Sequence, residues 1–394
     1  MNVKNDLLSY FEDLPDPRVV GRCDHKLLDI VAMTICAVIS GLDEWEDIVD
    51  YAKLKEDWFR QFLELPKGIP SHDTFGRVFS LLDPVAFEQR FADWTRAAFA
   101  KTDGDVIAID GKTLCGSADR AGNKAAIHMV SAWSHENGVV LGQMKTDDKS
   151  NEITAVPDLL ERLDIAGCIV TLDAMGCQKE IATQIIEQGG DYVLALKGNQ
   201  GGLLNQAKAL FDEVQGKDFD DCKQSHTRTV SKGHGRTETR DYWLAEDGWL
   251  GGRKAEWTGF RCFGKVRSRR TIDGETSEET RYFITSLPCK AKRFAKAVRA
   301  HWGIENGLHW VLDVTFGEDA SRVRKGHAAE NLSIVRRLSQ SALKAMQVPH
   351  DTKPRSDGRY RPTPTTPYRK ASIKTKRLRC MLHPDFLLET LRSF

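Results

Sequence analysis

Two short apolar runs, VIAI at 106–109 and IVTL at 169–172, each end on an aspartate, Asp110 and Asp173. Runs of this kind, β-branched and only four residues long, favour strands. A strand buried enough to be rigid delivers its carboxylate at its C-terminal end. If the two strands are neighbours the carboxylates meet, and paired oxygens of this kind suit a hard Mg²⁺ ion, which leaves positions for water and phosphate. A lone strand-end aspartate is commonly a turn or helix cap. Two of the same design ask for more.

The surrounding pattern predicts an α/β (α+β) chain with a mixed sheet flanked by helices. IHMVSAW and GVVLGQMK read as a hairpin, and YVLAL ends at Lys197 as a further strand. Helical segments over 152–163 and 179–188 separate the strands. Residues 1–100 read as an N-terminal helical domain, with apolar positions at Leu27, Val31, Ile35 and Val38 and again at Phe75, Val78, Phe79 and Leu82. Ser71 is a candidate N-cap for the second of these helices. The mixed α/β core is expected in two parts, 101–200 and 288–346, interrupted by a β-rich insertion subdomain over 201–287. A basic flexible linker is expected over 347–379 and a short C-terminal helix over 380–394.

The net charge of +1 over 394 residues hides a segregation of sign. Residues 1–100 carry 11 basic and 18 acidic side chains, 222–299 carry 18 and 9, and 353–379 carry 10 and 1. Two basic segments in a neutral chain suit a polyanionic partner touched by particular regions. Nine cysteines lie scattered with no C-x-x-C pair, which fits reduced thiols rather than zinc or redox chemistry. The longest apolar stretch, Ile30 to Ile39, is too short for a bilayer, so a cytoplasmic protein with no membrane contact is expected.

A third carboxylate has its strongest candidate in Glu305, within RAHWGIENGLHWVLDVTF. Phe294, Val298 and Trp302 form an apolar stripe there, and His301, Glu305 and His309 follow one another at i, i+4 spacing on an adjacent one. Taken alone, that row reads as a surface glutamate between histidines.

FEDLPDPR near the start, LPKGIPSHDTFGRVF at 65–79, AIDGKTLCGS at 108–117, TLDAMGCQ at 171–178, ALKGNQ at 195–200, KGHGRTETR at 232–240 and HWGIENGLHWVLDVTFGEDASRVR at 301–324 change that balance. Together, from residue 11 to about 345, they resemble the ISAs-type insertion-sequence DDE transposases, the branch containing the H-repeat-associated proteins. The resemblance implies an RNase H-like core with Asp110 on its first strand, Asp173 after its fourth and Glu305 on a helix beyond an insertion. It implies two Mg²⁺ ions, replaceable by Mn²⁺, held by these three residues as catalytic and metal-binding groups. It also implies double-stranded DNA as partner, both terminal inverted repeats and target, and a homodimer on DNA. In the broader superfamily the glutamate helix often carries Tyr, Arg and Lys at offsets that here hold Val298, His301 and Leu312; His301, His309, Arg322 or Arg324 are the candidate replacements.

Other phosphate contacts are expected from Lys112 and Lys197, and from Lys232, His234, Arg236 and Arg240 in a predicted hairpin. One of Trp243, Trp249 and Trp257 could stack on a displaced base, although core packing is the usual fate of such residues. The remaining motifs are weaker. GKT at 111–113 lacks the P-loop glycine, since Val106 stands in its place. The adjacent Ser71, His72 and Asp73 cannot form a triad, and the histidine row lacks H-E-x-x-H zinc spacing. Two functional rivals stay open: an inactive or regulatory DNA-binding transposase remnant, and a host-retained nuclease that promotes recombination without strand transfer.

Overall fold

The computed structural model describes residues 7–19, 21–99, 103–119, 125–146, 152–214, 223–233, 235–246, 256–346 and 371–392. Its helices are α1 (Leu27–Ser40), α2 (Trp45–Leu54), α3 (Glu56–Phe59), α4 (His72–Leu81), α5 (Pro84–Ala98), α6 (Glu152–Glu161), α7 (Lys179–Glu187), α8 (Gly201–Val214), α9 (Ala291–Ile304), α10 (Trp310–Val314), α11 (Ala328–Ala345), α12 (Ile373–Leu382) and α13 (Pro384–Arg392). The strands are β1 (Val106–Leu114), β2 (Ile127–Ser134), β3 (Val139–Lys145), β4 (Ile169–Leu172), β5 (Asp191–Leu196), β6 (Gln224–Gly233), β7 (Arg236–Glu246), β8 (Cys262–Ile272) and β9 (Glu275–Thr285). The chain is thus a mixed α/β protein.

All nine strands join one sheet in the order β3-β2-β1-β4-β5-β9-β8-β7-β6. The two aspartate-bearing strands are parallel neighbours, with Ile109 opposite Leu172. β1 continues past Asp110 to Leu114, so Asp110 lies within its strand and only Asp173 follows a strand end. The reason is pairing. β2 matches β1 residue for residue from Ile107 to Leu114, with Asp110 opposite Ser131.

The segment read as a separate β-rich subdomain is continuous with this sheet. β9 pairs antiparallel with β5, from Val193 with Thr285 to Leu196 with Tyr282, and β8, β7 and β6 follow outward. Periodicity shows that residues are strands but not which edge they join, because pairing is decided by the partner.

Among the described residues, the apolar side chains of the first hundred pack in a cluster shared with the sheet and later helices. That cluster runs from Ile35, Phe79 and Trp94 through Trp133 and Val140 of the sheet to Leu308, Leu312, Leu338 and Leu387. A second, on the opposite face, joins Ile107, Ile109, Val170 and Leu172 to Leu159, Leu160 and Ile185 of α6 and α7. Alternation along β1 therefore sends Ile107 and Ile109 toward α6 and α7. It sends Asp110 and Lys112 to the other side, where α9 lies. Beneath Asp110, the fully buried Arg337 of α11 donates from Nε to Ser131 Oγ at 3.3 Å and pairs with Glu318 at 2.8 Å.

Candidate active site

The helix that approaches Asp110 changes its winding where it does so. α9 passes into a π-helical turn, Glu305–His309, before α10 resumes. In a regular α-helix an i, i+4 row drifts by about 40° per step. A π turn takes in an extra residue and cancels most of that drift. His301, Glu305, His309 and Asp313 therefore stay in one row facing the sheet, and Trp302, Asn306, Trp310 and Val314 in the next. Close approach is permitted by glycine: a Cβ on Gly307 would sit 2.8 Å from the Trp133 ring, and one on Gly303 would sit 3.0 Å from His135.

This winding brings one ligand atom each from Asp110, Glu305 and His309 within 4.8 Å of one another. His309 Nδ1 lies 3.7 Å from Asp110 Oδ2 and 3.9 Å from Glu305 Oε2. Asp110 is largely buried and Glu305 is half exposed, with side-chain exposures of 17% and 51%. Asp173 is not in that group. Its Oδ1 accepts from the backbone N–H of Met175 at 2.8 Å and of Gly176 at 3.3 Å, so it caps the turn after β4. Its charge nevertheless reaches both Asp110 and His301.

Electrostatics describe a cation site. Burial, then the carboxylates of Glu305, Glu152 and Asp173, push the Asp110 pKa up to about 7. Glu305 is held below its ordinary value, chiefly by the His309 imidazole beside it, against the effect of burial. Crowded acids of which one is forced toward its neutral form are what a divalent cation relieves. The oxygen-rich donor set with one imidazole fits Mg²⁺ or Mn²⁺.

His301 bonds through Nδ1 to Thr171 Oγ1 at 2.9 Å, and burial lowers its pKa, which favours the neutral imidazole. His301 also lines the cleft that opens beside Asp173, there as a neutral ring rather than a cation. Lys112 departs from the phosphate contact expected of it: it is 8% exposed and its Nζ lies 2.7 Å from Asp313 Oδ1 and 3.3 Å from Asp319 Oδ1. Arg324 Nε donates to the Gly116 carbonyl at 3.1 Å and Arg322 Nη1 to that of Asp319 at 3.5 Å, so both brace the loop after α10.

Beside Asp173 opens a cleft of about 700 Å³ between α9 and the β5-β9-β8-β7 face. Lys197, Arg236 and Arg240 line it, joined by Lys208, Arg270, Arg281 and Arg299, against Asp173, Glu238 and Glu279 as its acids. Burial and then the like charge of Arg299 lower the Arg240 pKa, against the ion pair that its guanidinium makes with Glu238. Lys232 is exposed on β6 and does not line this cleft. His234 and Trp249 lie outside the described residues. Trp257 is buried, and Trp243 is stacked on His226 with centroids 4.9 Å apart. The tryptophan that does line the cleft is Trp302, 39% exposed, with the Arg281 guanidinium 4.8 Å from its ring centroid. Sequence periodicity assigns Trp302 to the buried stripe of Phe294 and Val298; Val298 and Trp302 both line the cleft, and Trp302 is the exposed one of the pair.

Comparison with known proteins gives a consistent result. A family model described as DDE_Tnp_1-associated matches residues 8–95, and one described as transposase DDE domain matches 101–339. The protein called Putative transposase YncI, from Escherichia coli O157:H7, is 45% identical over 342 residues, spanning 86% of this chain and 87% of its own. The H repeat-associated putative transposase YhhI, from Escherichia coli strain K12, is 43% identical over 342 residues, spanning 86% and 90%. The cryo-EM structure of a piggyBac transposase synaptic complex with hairpin DNA aligns with 99% of this chain and 77% of its own at TM-score 0.41 and 11% identity, a likeness too loose to argue from.

Proposed function

This chain belongs to the DDE transposase family, in the company of the H-repeat-associated proteins, and on that premise we propose that it cuts DNA at the ends of an insertion element and joins the freed 3′ ends to a target. The observation that carries the proposal is the meeting of Asp110 and Glu305 with His309 within 4.8 Å, from opposite halves of the chain and beside a basic cleft. The strand order β3-β2-β1-β4-β5, with β1, β4 and β5 parallel and β2 and β3 antiparallel, supports reading the core as RNase H-like. On that reading β6 to β9 are an insertion that extends the sheet.

Asp110, Asp173 and Glu305 would hold two Mg²⁺ or Mn²⁺ ions, with His309 alongside. When bound, such ions lower the pKa of an attacking water and stabilise the departing 3′ oxygen. The rest of the work falls to the protein. Lys197, Arg236, Arg240 and Arg299 neutralise backbone phosphates and set the strand in register with Asp173. The neutral His301, bonded to Thr171, keeps α9 seated on β4, so that Glu305 reaches Asp110. Trp302 and Arg281 give the cleft an aromatic and cationic wall on which an unpaired base can lie. Pairing of two element ends calls for a homodimer on DNA. Among the described residues no helix is long and apolar enough to cross a membrane, and a DNA substrate would place the protein at the nucleoid.

The test is cleavage and strand transfer of terminal-repeat DNA in Mg²⁺ or Mn²⁺. Asp110→Ala, Asp173→Ala and Glu305→Ala should each abolish both steps while DNA binding persists. Full activity in any of the three removes that residue from the site, and cleavage without transfer would make the protein a nuclease.

A further inference from the structure

The motif blocks AIDGKT and HWGIENGLHWVLDVTFGEDASR are joined by a contact that involves none of the three acids. Lys112 follows Asp110 by two residues and shares its face of β1. Asp313 follows Glu305 by eight residues and, through the π turn, shares its row. The Lys112 ammonium is 2.7 Å from Asp313 Oδ1 and 3.3 Å from Asp319 Oδ1. Asp319 Oδ1 also accepts from the backbone N–H of Cys115 at 3.3 Å, so the loop after α10 is fastened to the end of β1 as well.

We propose that Lys112 is a positioning residue for the metal site, whose ion pairs with Asp313 and Asp319 hold the strand of Asp110 against the helix of Glu305. This rests on the reading of Asp110 and Glu305 as metal-holding acids. Without a cation those two carboxylates repel, and the outer face of their helix is open to solvent, with Trp302 39%, Trp310 58% and Val314 61% exposed. A tether beside the repelling pair, on the same strand and the same helix, opposes that separation. Its charge is committed. The side chain is 8% exposed and its ammonium is flanked by the Asp313 and Asp319 carboxylates.

The experiment compares wild type with Lys112→Met, Lys112→Arg and Asp313→Asn. Three quantities are read: Mn²⁺ affinity of the DNA-free protein by electron paramagnetic resonance, amide hydrogen exchange over residues 305–309, and the salt dependence of DNA binding. Lys112→Met and Asp313→Asn should weaken Mn²⁺ binding by about tenfold or more, as loss of groups that orient ligands does, and should speed exchange in the turn. Lys112→Arg should keep most of the affinity, and the salt slope should not move in any variant. Asp313→Asn hardly changes volume, so it decides the matter if Lys112→Met fails to fold. Wild-type Mn²⁺ affinity and exchange in Asp313→Asn overturn the proposal, as does a salt slope reduced by about one in Lys112→Met, the mark of a phosphate that this lysine had neutralised. A wild-type protein that neither binds Mn²⁺ nor cuts DNA points instead to failure of the underlying reading.

Discussion

Asp110 Oδ2 lies 3.7 Å from His309 Nδ1, which joins the first strand of the sheet to a π turn nearly two hundred residues further along. It fixes where Glu305 points. It also leaves Asp110 among acids, and that setting governs its response to pH and to metal alike.

Asp110→Asn should abolish cleavage and yet stabilise the metal-free protein above neutral pH. The folded pKa of about 7 stands above the ordinary value of 3.8. The proton's contribution to stability is therefore complete below about pH 4 and is lost as pH rises through 7. The wild type should lose up to about 4 kcal/mol across that window, and the Asn variant should lose less. Denaturant melts at pH 4.5 and 8.5 measure the difference, and Mg²⁺ should restore the loss in wild type only. Equal pH dependence in both proteins would show that Asp110 is not crowded.

Metal binding should be proton-coupled through the same group. Below pH 7 the apparent Mn²⁺ affinity should fall by about tenfold per pH unit, and above it should level off. Calorimetry in buffers of different ionisation enthalpy should register close to one proton released per site at pH 6 and little at pH 8.5. A flat profile would contradict the pKa assigned to Asp110.

Arg236→Ala and Arg240→Ala should weaken DNA binding and lower its salt slope, by about 0.9 for each phosphate no longer neutralised. Lys232→Ala should change the slope much less, since Lys232 does not line the cleft. Filter binding over a range of salt concentrations checks both. Equal effects at the three positions would place the DNA along the outer hairpin instead.

Gly307→Ala puts a methyl 2.8 Å from the Trp133 ring, so the Glu305 helix must lift away from β2. Cleavage should fall by about tenfold or more, in line with what small misplacements cost in an active site, with DNA affinity nearly unchanged. Wild-type turnover would mean that close approach of this helix is not needed.

Much of this is legible in sequence because it is local. The strand that carries Asp110 and the one that leads to Asp173, the helices expected over 152–163 and 179–188 and found over 152–161 and 179–187, and the spacing of His301, Glu305 and His309 follow from periodicity, although β1 runs on past Asp110 to Leu114. Ser71 stands at the N-cap of α4, although its hydroxyl meets that of Thr74 at 3.2 Å rather than the backbone. What sequence does not disclose is decided between distant segments. Nothing in residues 224–285 announces that β9 will pair with β5. Lys112 looks like any surface lysine until Asp313 and Asp319 arrive from the other end of the core. The same holds for the π turn, where His309 meets Asp110 and Gly307 passes close to the Trp133 ring, contacts made only in the folded chain.

The most direct measurement is anomalous diffraction from crystals grown with Mn²⁺ and terminal-repeat DNA. Two peaks shared among the Asp110, Asp173 and Glu305 carboxylates are expected, with DNA phosphates running along Arg236 and Arg240. A well-ordered complex with no peak at Asp110, or with Glu305 turned away from it and toward solvent, would contradict the account.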